Sequence, residues 1–451
     1  MNTKGLSLNT IPPLLIPMRF FLTAPLFGIL AALLVIFYGA DIWNSRWLPS
    51  ALALTHLFTL GFMLMVMMGA LYQFIPVMTG RLVPACKQLS PIIYWSLVLG
   101  VFTLVAGFLT HETSAFKISL LALMTSSTLF AFSLLPLLVT ELKEHLIVYL
   151  LRILFVVLTV TIGIGLYMLL AYAFADSAIM FRSYTNIHAS WGLIAWVVLL
   201  IMAVSSQIIP MFFVTPEFST RYLKWSSLLL VGSMMMLFLI DKVVFLDNTL
   251  ALLMQSLLSI NLLFIIYYIL HLMRLRKRKL PDVTINFFHL SLLSLLWAII
   301  IWWLWQSGLN MTINISAQQI NFTLAIIMIY GLAVSAIMGM LQKIVPFLIY
   351  INLQNVTFKY PQSMAITPRL VPNMKQIISN WKSKIQFYLH STSYLFLLVS
   401  IYSNIMVIPA GLIMMLNFLW LSYCLFSGYF SYRQRYQKIL QFPEMKMNFT
   451  L

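Results

Sequence analysis

Residues 56–80 of this chain read HLFTLGFMLMVMMGALYQFIPVMTG, residues 188–214 read HASWGLIAWVVLLIMAVSSQIIPMFFV, and residues 326–350 read IIMIYGLAVSAIMGMLQKIVPFLIY. All three place small, polar and proline residues in the same order along an otherwise apolar segment. Each is long enough to cross a bilayer as a helix, which takes about 20 residues. A spanning segment that recurs three times indicates a membrane bundle made of three equivalent units.

The register of the repeat is set by Gly69, Ala203 and Gly339, which lie 134 and 136 residues apart. Seven residues later each stretch has a proline, four residues later a polar side chain, and eight residues earlier a small residue. These matched positions are Pro76, Pro210 and Pro346, then Gln73, Gln207 and Lys343, and finally Gly61, Ala195 and Gly331. The period is too long for a solenoid.

Composition agrees with a membrane bundle, because the chain is 62% hydrophobic and only 8% charged. Twelve apolar stretches are long enough to span, near residues 14–40, 48–80, 91–110, 116–140, 148–175, 184–214, 222–240, 248–273, 285–306, 320–352, 386–404 and 409–431. We therefore predict an all-α integral membrane fold whose twelve transmembrane helices form three parallel pseudo-repeats of four helices. The repeat units, about 1–145, 146–280 and 281–451, would form a single transmembrane bundle.

Basic residues are distributed unevenly about these spans. The net charge is +17, and with the N-terminus inside, all of the 27 Lys and Arg residues fall on the inner side except Arg46, Lys117, Arg182 and Lys242. This is the positive-inside pattern, so both termini are expected in the cytoplasm, with the protein in a bacterial inner membrane. The positive charge reflects membrane topology. We therefore expect the lipid bilayer as a partner and expect no nucleic acid.

The longest predicted loop is basic and cytoplasmic, and covers about residues 353–385. Its second half places Met374, Ile377, Ile378, Trp381 and Ile385 on one helical face, with lysines elsewhere. That pattern favours a short helix lying on the inner membrane surface. A docking site for a partner protein is the alternative interpretation.

Ionisable residues inside membrane helices are costly and mark candidate functional sites. All ten acidic residues lie in predicted loops or near helix ends, which argues against a carboxylate relay for protons. Among the histidines, His111, His145 and His271 are expected at surfaces, whereas His289 and His390 are expected near the inner face.

His56 and His188 begin two of the repeated spans, 13 and 15 residues before the register position, and should therefore lie at similar depth in the outer half of the bundle. The third repeat has Ile326 and Leu324 at those positions. One interpretation is helix packing, with each imidazole hydrogen-bonded to a neighbouring helix. The other is ligation of haem or a metal ion, since neutral imidazole binds iron, copper and zinc.

Gln73, Gln207 and Lys343 lie near the predicted inner ends of the repeated spans, three residues before the prolines. One interpretation is local, because side-chain amides can satisfy backbone groups that proline frees and a lysine can extend to the inner surface. The functional interpretation is a polar ring that closes the inner end of a central cavity.

The layout resembles that of haem–copper oxidase subunit I, which also arranges twelve helices as three parallel four-helix units. His56 matches the position of an axial ligand of the low-spin haem in that family, and His188 matches the approximate position of a copper ligand. The motifs THLFTLGFMLMVMMGALYQFIPVMTG and IHASWGLIAWVVLLIMAVSSQIIPMFF look most like oxidase-related membrane proteins that include the NnrS group, which is associated with haem, copper and nitric-oxide stress. The resemblance is specific in the repeat segments, roughly a fifth of the chain.

The chain departs from that family at several ligand positions. The oxidases have two histidines on helix ten, a pair on helix seven, and a tyrosine cross-linked to a copper histidine. This chain has no histidine between His289 and His390, none in the seventh span, and no counterpart of the tyrosine beside His188. We therefore expect no oxidase catalysis. A haem on His56 would take its sixth ligand elsewhere, and Met328 in the tenth span is the candidate.

Three functions remain open. The first is a non-catalytic oxidase-like protein that binds haem or copper through His56 and His188. It would act in sensing, handling or delivery linked to respiration or nitric-oxide stress, with a respiratory oxidase or its maturation factors as partner. The second is an assembly or structural subunit without a cofactor. The third is a permease for a small apolar or zwitterionic solute, which fits the spans but not the absence of central charges.

Overall fold

The computed structural model describes residues 12–139, 146–174, 184–242, 248–277, 282–308, 315–359 and 370–447. Regular structure in these ranges is entirely helical. Eleven helices there are long and apolar enough to cross a membrane, and they coincide with eleven of the predicted spans. The chain is therefore an all-helical integral membrane protein.

The long helices of the described ranges are labelled in chain order. They are α1 (Leu15–Tyr38), α2 (Pro49–Thr79), α3 (Cys86–Thr110), α4 (Thr113–Val139), α5 (Leu146–Phe174), α6 (Thr185–Phe213), α7 (Thr220–Lys242), α8 (Asn248–Arg274), α9 (Val283–Gln306), α10 (Ala317–Ile326, Ile327–Val334 and Ser335–Lys359 in succession), α11 (Asn380–Ser400) and α12 (Val407–Met447).

The helix that falls outside the eleven apolar spans is α11, and its buried side explains why. Buried positions recur every three or four residues along it and are mostly polar: Ser383, Gln386, His390, Ser393, Tyr394, Leu397 and Ser400. Large apolar or aromatic side chains are among its exposed positions, for example Leu395 at 58% exposure. Because α11 turns its polar stripe inward, its average hydropathy is low although its 21 residues would extend about 31 Å.

The predicted loop over residues 353–385 is shorter than expected, because α10 continues to Lys359 and α11 already begins at Asn380. Between them, a four-residue helix, Met374–Ile377, ends where Ile378 and Ser379 adopt extended backbone angles. Ile378 is only 5% exposed. The amphipathic pattern is therefore divided between two helices, and its central isoleucines are buried in the protein.

Each repeated helix changes to π-helical geometry at the same place. The π segments are Leu57–Leu64 in α2, Trp191–Val198 in α6 and Ile327–Val334 in α10. All three begin twelve residues before the register position and are eight residues long. π-Helical geometry is rare and occurs frequently at functional sites. The same unusual geometry at three matched positions follows the sequence repeat residue for residue.

The helices group into two compact units. The first unit comprises Pro13–Ala70, Asp282–Ser291 and Val334–Leu451, and contains α1, α11 and α12. The second unit comprises the described residues of Leu71–Pro281 and Leu292–Ala333, and contains α3 to α8. His56 belongs to the first unit, and His188 belongs to the second.

Glycines allow close helix contacts in the first unit at matched repeat positions. A Cβ atom on Gly69 would lie 2.8 Å from the Phe20 Cβ on α1, and one on Gly339 would lie 2.7 Å from the Phe287 Cβ on α9. Each phenylalanine belongs to the helix that precedes the repeated helix. The small register residue therefore receives an aromatic side chain from the same neighbour in both repeats.

Small polar residues join helices in the second unit. On α4, the Ser119 hydroxyl donates to the Gly100 carbonyl at 2.8 Å, and the Ser126 hydroxyl donates to the Ile93 carbonyl at 2.9 Å. Such interhelical hydrogen bonds and small residues are typical of helix packing in membranes.

Candidate functional site

His188 lies in the first turn of α6, three residues before the π segment, and its ring packs against α5. Its Nδ1 atom is 3.1 Å from the Thr161 carbonyl oxygen. Its Cε1 atom lies 2.8 Å from where a Cβ on Gly165 would be, so a side chain there would occupy the space of the ring. Thr161 and Gly165 are one helical turn apart, and together they form a cradle on α5 that fits this imidazole.

Two buried polar atoms near His188 have no hydrogen-bond partner in the structure. They are the Thr185 hydroxyl and the Trp191 indole Nε1. The two residues lie three positions before and three positions after His188, and residues at this spacing are neighbours on a helix. Trp191 is 4% exposed, so its N–H is withdrawn from solvent as well. Buried polar groups are nearly always satisfied, and unsatisfied ones call for a specific explanation.

His56 lies at the end of the first α-helical part of α2, immediately before the π segment. Its Nδ1 atom is 2.8 Å from the carbonyl oxygen of Leu52, one turn earlier in the same helix. The side chain is partly exposed.

The hydrogen bonds of His56 and His188 define their tautomers. A carbonyl oxygen only accepts, so Nδ1 carries the proton in each neutral imidazole and Nε2 carries the lone pair. Metal-ligating histidines commonly donate one ring N–H to a backbone carbonyl, which orients the ring and leaves the other nitrogen for the metal. In both residues Nδ1 is therefore the protonated nitrogen, as it is in histidines of this ligand type.

The third repeat presents apolar side chains where the first two have histidine. Leu324 and Ile326 occupy those positions, and Ile326 is buried. Met328, the candidate sixth ligand, is the second residue of the π segment of α10 and is 8% exposed. Among the described residues, no group of three or more His, Cys, Asp or Glu side chains is arranged to hold a metal ion.

The residues of the predicted polar ring differ in their surroundings. Gln73 is 7% exposed, and its Oε1 atom has no hydrogen-bond partner. Gln207 is intermediate in exposure. Gln73 and Gln207 both belong to the second unit, whereas Lys343 belongs to the first.

Lys343 forms an ion pair with Asp282, the residue before α9. Thr284 adds two hydrogen bonds to the Asp282 carboxylate, from its backbone N–H at 3.1 Å and from its hydroxyl at 2.6 Å. Burial alone would raise the pKa of Asp282, but the charge of Lys343 and these hydrogen bonds lower the pKa overall. The lysine is thus held by a carboxylate of the same unit, a partner that the repeat pattern did not reveal.

A group that we call the polar seam consists of Ser335 and Met338 on α10, Gln386 and His390 on α11, and Asn417 on α12. All five are 0% exposed. The Asn417 amide donates to His390 Nδ1 at 3.4 Å, so the proton is on Nε2, which donates to the Ser335 hydroxyl at 2.7 Å. The Gln386 amide donates to the Asn417 backbone carbonyl at 3.1 Å and to the Met338 sulfur at 3.7 Å. Both ring nitrogens of His390 are thus hydrogen-bonded, Nδ1 to Asn417 and Nε2 to Ser335.

His390 was expected near the inner face, but α11 begins at Asn380, so His390 lies in its third turn and in the interior of the first unit. The sequence also gave no reason to single out Gln342. Both polar atoms of its amide are buried without a hydrogen-bond partner, and the residue is 5% exposed. It precedes the repeat position of Lys343 by one residue and so lies outside the matched pattern.

No family model matches this sequence, and no curated protein matches it significantly.

Proposed function

We propose that this chain is a non-catalytic membrane protein with the architecture of haem–copper oxidase subunit I. It would bind haem or a metal ion such as copper through His56 and His188. The observation that carries this proposal is that both imidazoles stand just before a π segment at nearly matched positions, each with Nδ1 on a backbone carbonyl. The shared tautomer and the shared position just before a π segment support a common role for the two residues.

The proposed architecture has twelve spans in three parallel repeats, with both termini in the cytoplasm. It includes α11 as a span, although its hydropathy is low. Support comes from its length, its exposed apolar side chains and its buried polar stripe, which is the arrangement expected of a helix between lipid and a polar interior. The three π segments in register support the repeat.

The residues around His188 fit a ligand-binding role. The cradle formed by Thr161 and Gly165 orients the ring, and the unpartnered Trp191 N–H and Thr185 hydroxyl are available to a group bound there. A donor of this kind suits the acceptor atom of a bound anion, water or carboxylate. When bound, haem or copper would supply affinity for a small diatomic molecule such as nitric oxide, or a one-electron couple. The protein would contribute ligand orientation and a shielded surrounding.

Sensing, handling or delivery of the bound group is the role that this site supports, linked to respiration or to nitric-oxide stress. Oxidase chemistry needs a larger ligand set than two histidines on two repeats. A respiratory oxidase or one of its maturation factors is the proposed partner. The bilayer supplies the surroundings of the helices.

An assembly or structural subunit is the second candidate. It is favoured by the third repeat, where the π segment is retained while both ligand positions are apolar, at Leu324 and Ile326. If one repeat kept its geometry without a ligand, the other two could also serve packing alone. Co-purification with an oxidase, without any bound cofactor, would favour this candidate.

A visible absorption spectrum tests the proposal. The full-length protein is purified in mild detergent, and spectra are recorded for the oxidised and dithionite-reduced forms. We expect either a Soret band that is lost in His56→Ala, or copper without a Soret band that is lost in His188→Ala. His271→Ala serves as the matched control, because His271 is an exposed histidine at the end of α8. A folded, colourless protein without iron or copper would contradict the proposal and favour the assembly subunit.

A further inference from the structure

The polar seam continues beyond Gln386 toward the end of α10. Ser335 lies opposite His390, and Met338 lies opposite Gln386, so the residue numbers rise along α10 as they fall along α11. The two helices are thus antiparallel at the seam. One further turn along this register places Gln342 level with Ser383, which is 8% exposed. The seam therefore ends in two more buried polar residues that belong to the same unit.

This end of the seam is where hydrogen bonding is incomplete. Three buried amide atoms have no partner in the structure: Nε2 and Oε1 of Gln342, and Oε1 of Gln386. Gln342 is 5% exposed and Gln386 is 0% exposed, so neither lipid headgroups nor bulk water reach them. An unpartnered polar atom in the interior costs the full desolvation of that atom. Three such atoms on facing helices, one turn apart along the seam, indicate a ligand between the helices.

The chemistry of these atoms selects the ligand. One amide NH2 group, with two N–H bonds, donates, and two carbonyl oxygens accept. An anion would meet two acceptors and one donor, and a bare cation would need several more oxygen ligands than the two carbonyls. A water molecule both donates and accepts, and buried waters typically make about three hydrogen bonds to groups that would otherwise be unsatisfied.

We propose that the Gln342 end of the polar seam is a water-binding site, in which ordered water joins the Gln342 and Gln386 amides. The neighbouring residue, Lys343, holds the ion pair with Asp282. The water-binding site itself runs from Gln342 along the seam toward Met338. The bound water would place exchangeable protons in the interior of the first unit, beside side chains that are otherwise shielded from bulk water.

Radiolytic footprinting tests this site, because hydroxyl radicals formed from bound water oxidise the side chains beside that water. The full chain is equilibrated in ¹⁸O-labelled water, exposed to X-ray pulses, and analysed for labelled methionine sulfoxide by mass spectrometry. Met338, whose sulfur contacts the Gln386 amide, is the reporter. Met18 on α1 is the matched control, since it too is a methionine of the first unit with 0% exposure.

With water in the site, Met338 is expected to oxidise about tenfold faster than Met18 despite equal burial. In Gln342→Leu, the Met338 rate should fall to that of Met18. Equal rates for the two methionines in the unaltered protein would overturn the proposal. Thermal unfolding gives an independent check, because in a dry seam Gln342→Leu removes two unsatisfied atoms and raises Tm. In the hydrated seam it breaks water contacts and leaves Tm equal or lower, so a clear rise would also overturn the proposal.

Discussion

His56 and His390 belong to the same unit and are held in opposite ways. His390 is fully buried, and both of its ring nitrogens meet side chains, Ser335 at 2.7 Å and Asn417 at 3.4 Å. His56 is partly exposed, and its Nδ1 meets a carbonyl of its own helix, Leu52, at 2.8 Å. The first arrangement joins side chains of three helices, whereas in the second Nδ1 meets the backbone of the same helix.

This contrast shows how the partner of a histidine distinguishes its role. Side-chain partners on both nitrogens make His390 a connection among α10, α11 and α12. A carbonyl partner on Nδ1 keeps the proton of His56 and of His188 on that nitrogen, which is the tautomer that the proposed ligation of iron or copper through Nε2 requires.

The largest effect is expected for His390→Ala. The change removes one hydrogen-bond partner from the buried Ser335 hydroxyl and one from the buried Asn417 amide, and it opens a cavity, so we expect a loss of about 3 kcal/mol in unfolding free energy. For His56→Ala, whose side chain is partly exposed, we expect less than about 1 kcal/mol. Denaturant titration in detergent compares the two. Similar losses for both variants would remove the distinction between them.

The cradle under His188 can be filled by Gly165→Ala. The added Cβ would lie 2.8 Å from the His188 Cε1 atom, so the ring must shift and its bond to Thr161 must weaken. We expect a cost of about 1–3 kcal/mol, together with weaker haem or metal binding. Gly163→Ala is the control, because a Cβ on Gly163 meets no atom within 4 Å. Binding is measured by titration with Cu²⁺ and with haemin; equal affinities for the two variants would argue against a ligand at His188.

The ion pair of Asp282 predicts a pH dependence. Its pKa is lower in the folded protein than in the unfolded chain, so the stabilisation is present at neutral pH and is lost as the pH falls through the lowered pKa. We expect Asp282→Asn to cost about 1 kcal/mol at pH 7, and the difference from the unaltered protein to shrink below about pH 4. Thermal unfolding between pH 3 and pH 7 measures this. A difference that grows with acidity would contradict the assigned sign.

The smallest effect is expected for Trp191→Phe. This change removes an unpartnered buried N–H. The unfolding free energy of the cofactor-free protein should therefore stay equal or rise by less than about 1 kcal/mol. The protein loaded with haem or copper should lose part of its binding affinity. Trp196→Phe in the same π segment is the control, since Trp196 is buried and takes part in contacts of its own. An equal loss of affinity in both variants would assign Trp191 to packing alone.

The apolar stretches of the sequence predicted the membrane helices well, because length and hydropathy are local properties of the chain. Eleven predicted spans are confirmed. The π segments were not predicted, since the apolar pattern of a helix does not reveal a change of hydrogen-bond register. The common position of the π segments becomes apparent only when the three helices are compared in the register of the sequence repeat.

The candidate site was predictable in part. The repeat identified His56 and His188, but the tautomer of each depends on Leu52 and Thr161, whose carbonyls no sequence pattern identifies as partners. Gln342 was missed because it lies one residue from the matched polar position. His390 was expected at the start of its span, whereas it lies ten residues into α11, because that helix begins at Asn380, six residues before the predicted start at residue 386.

The central claim is that His56 and His188 hold haem or a metal ion, and iron and copper content per chain tests it most directly. The unaltered protein, His56→Ala, His188→Ala and the control His271→Ala are purified in parallel and measured by elemental analysis. We predict a near-stoichiometric content of one of these metals in the unaltered protein and in His271→Ala, and a clear loss in at least one of the other two. Negligible iron and copper in a folded, unaltered protein, or equal content in all four, would contradict the claim.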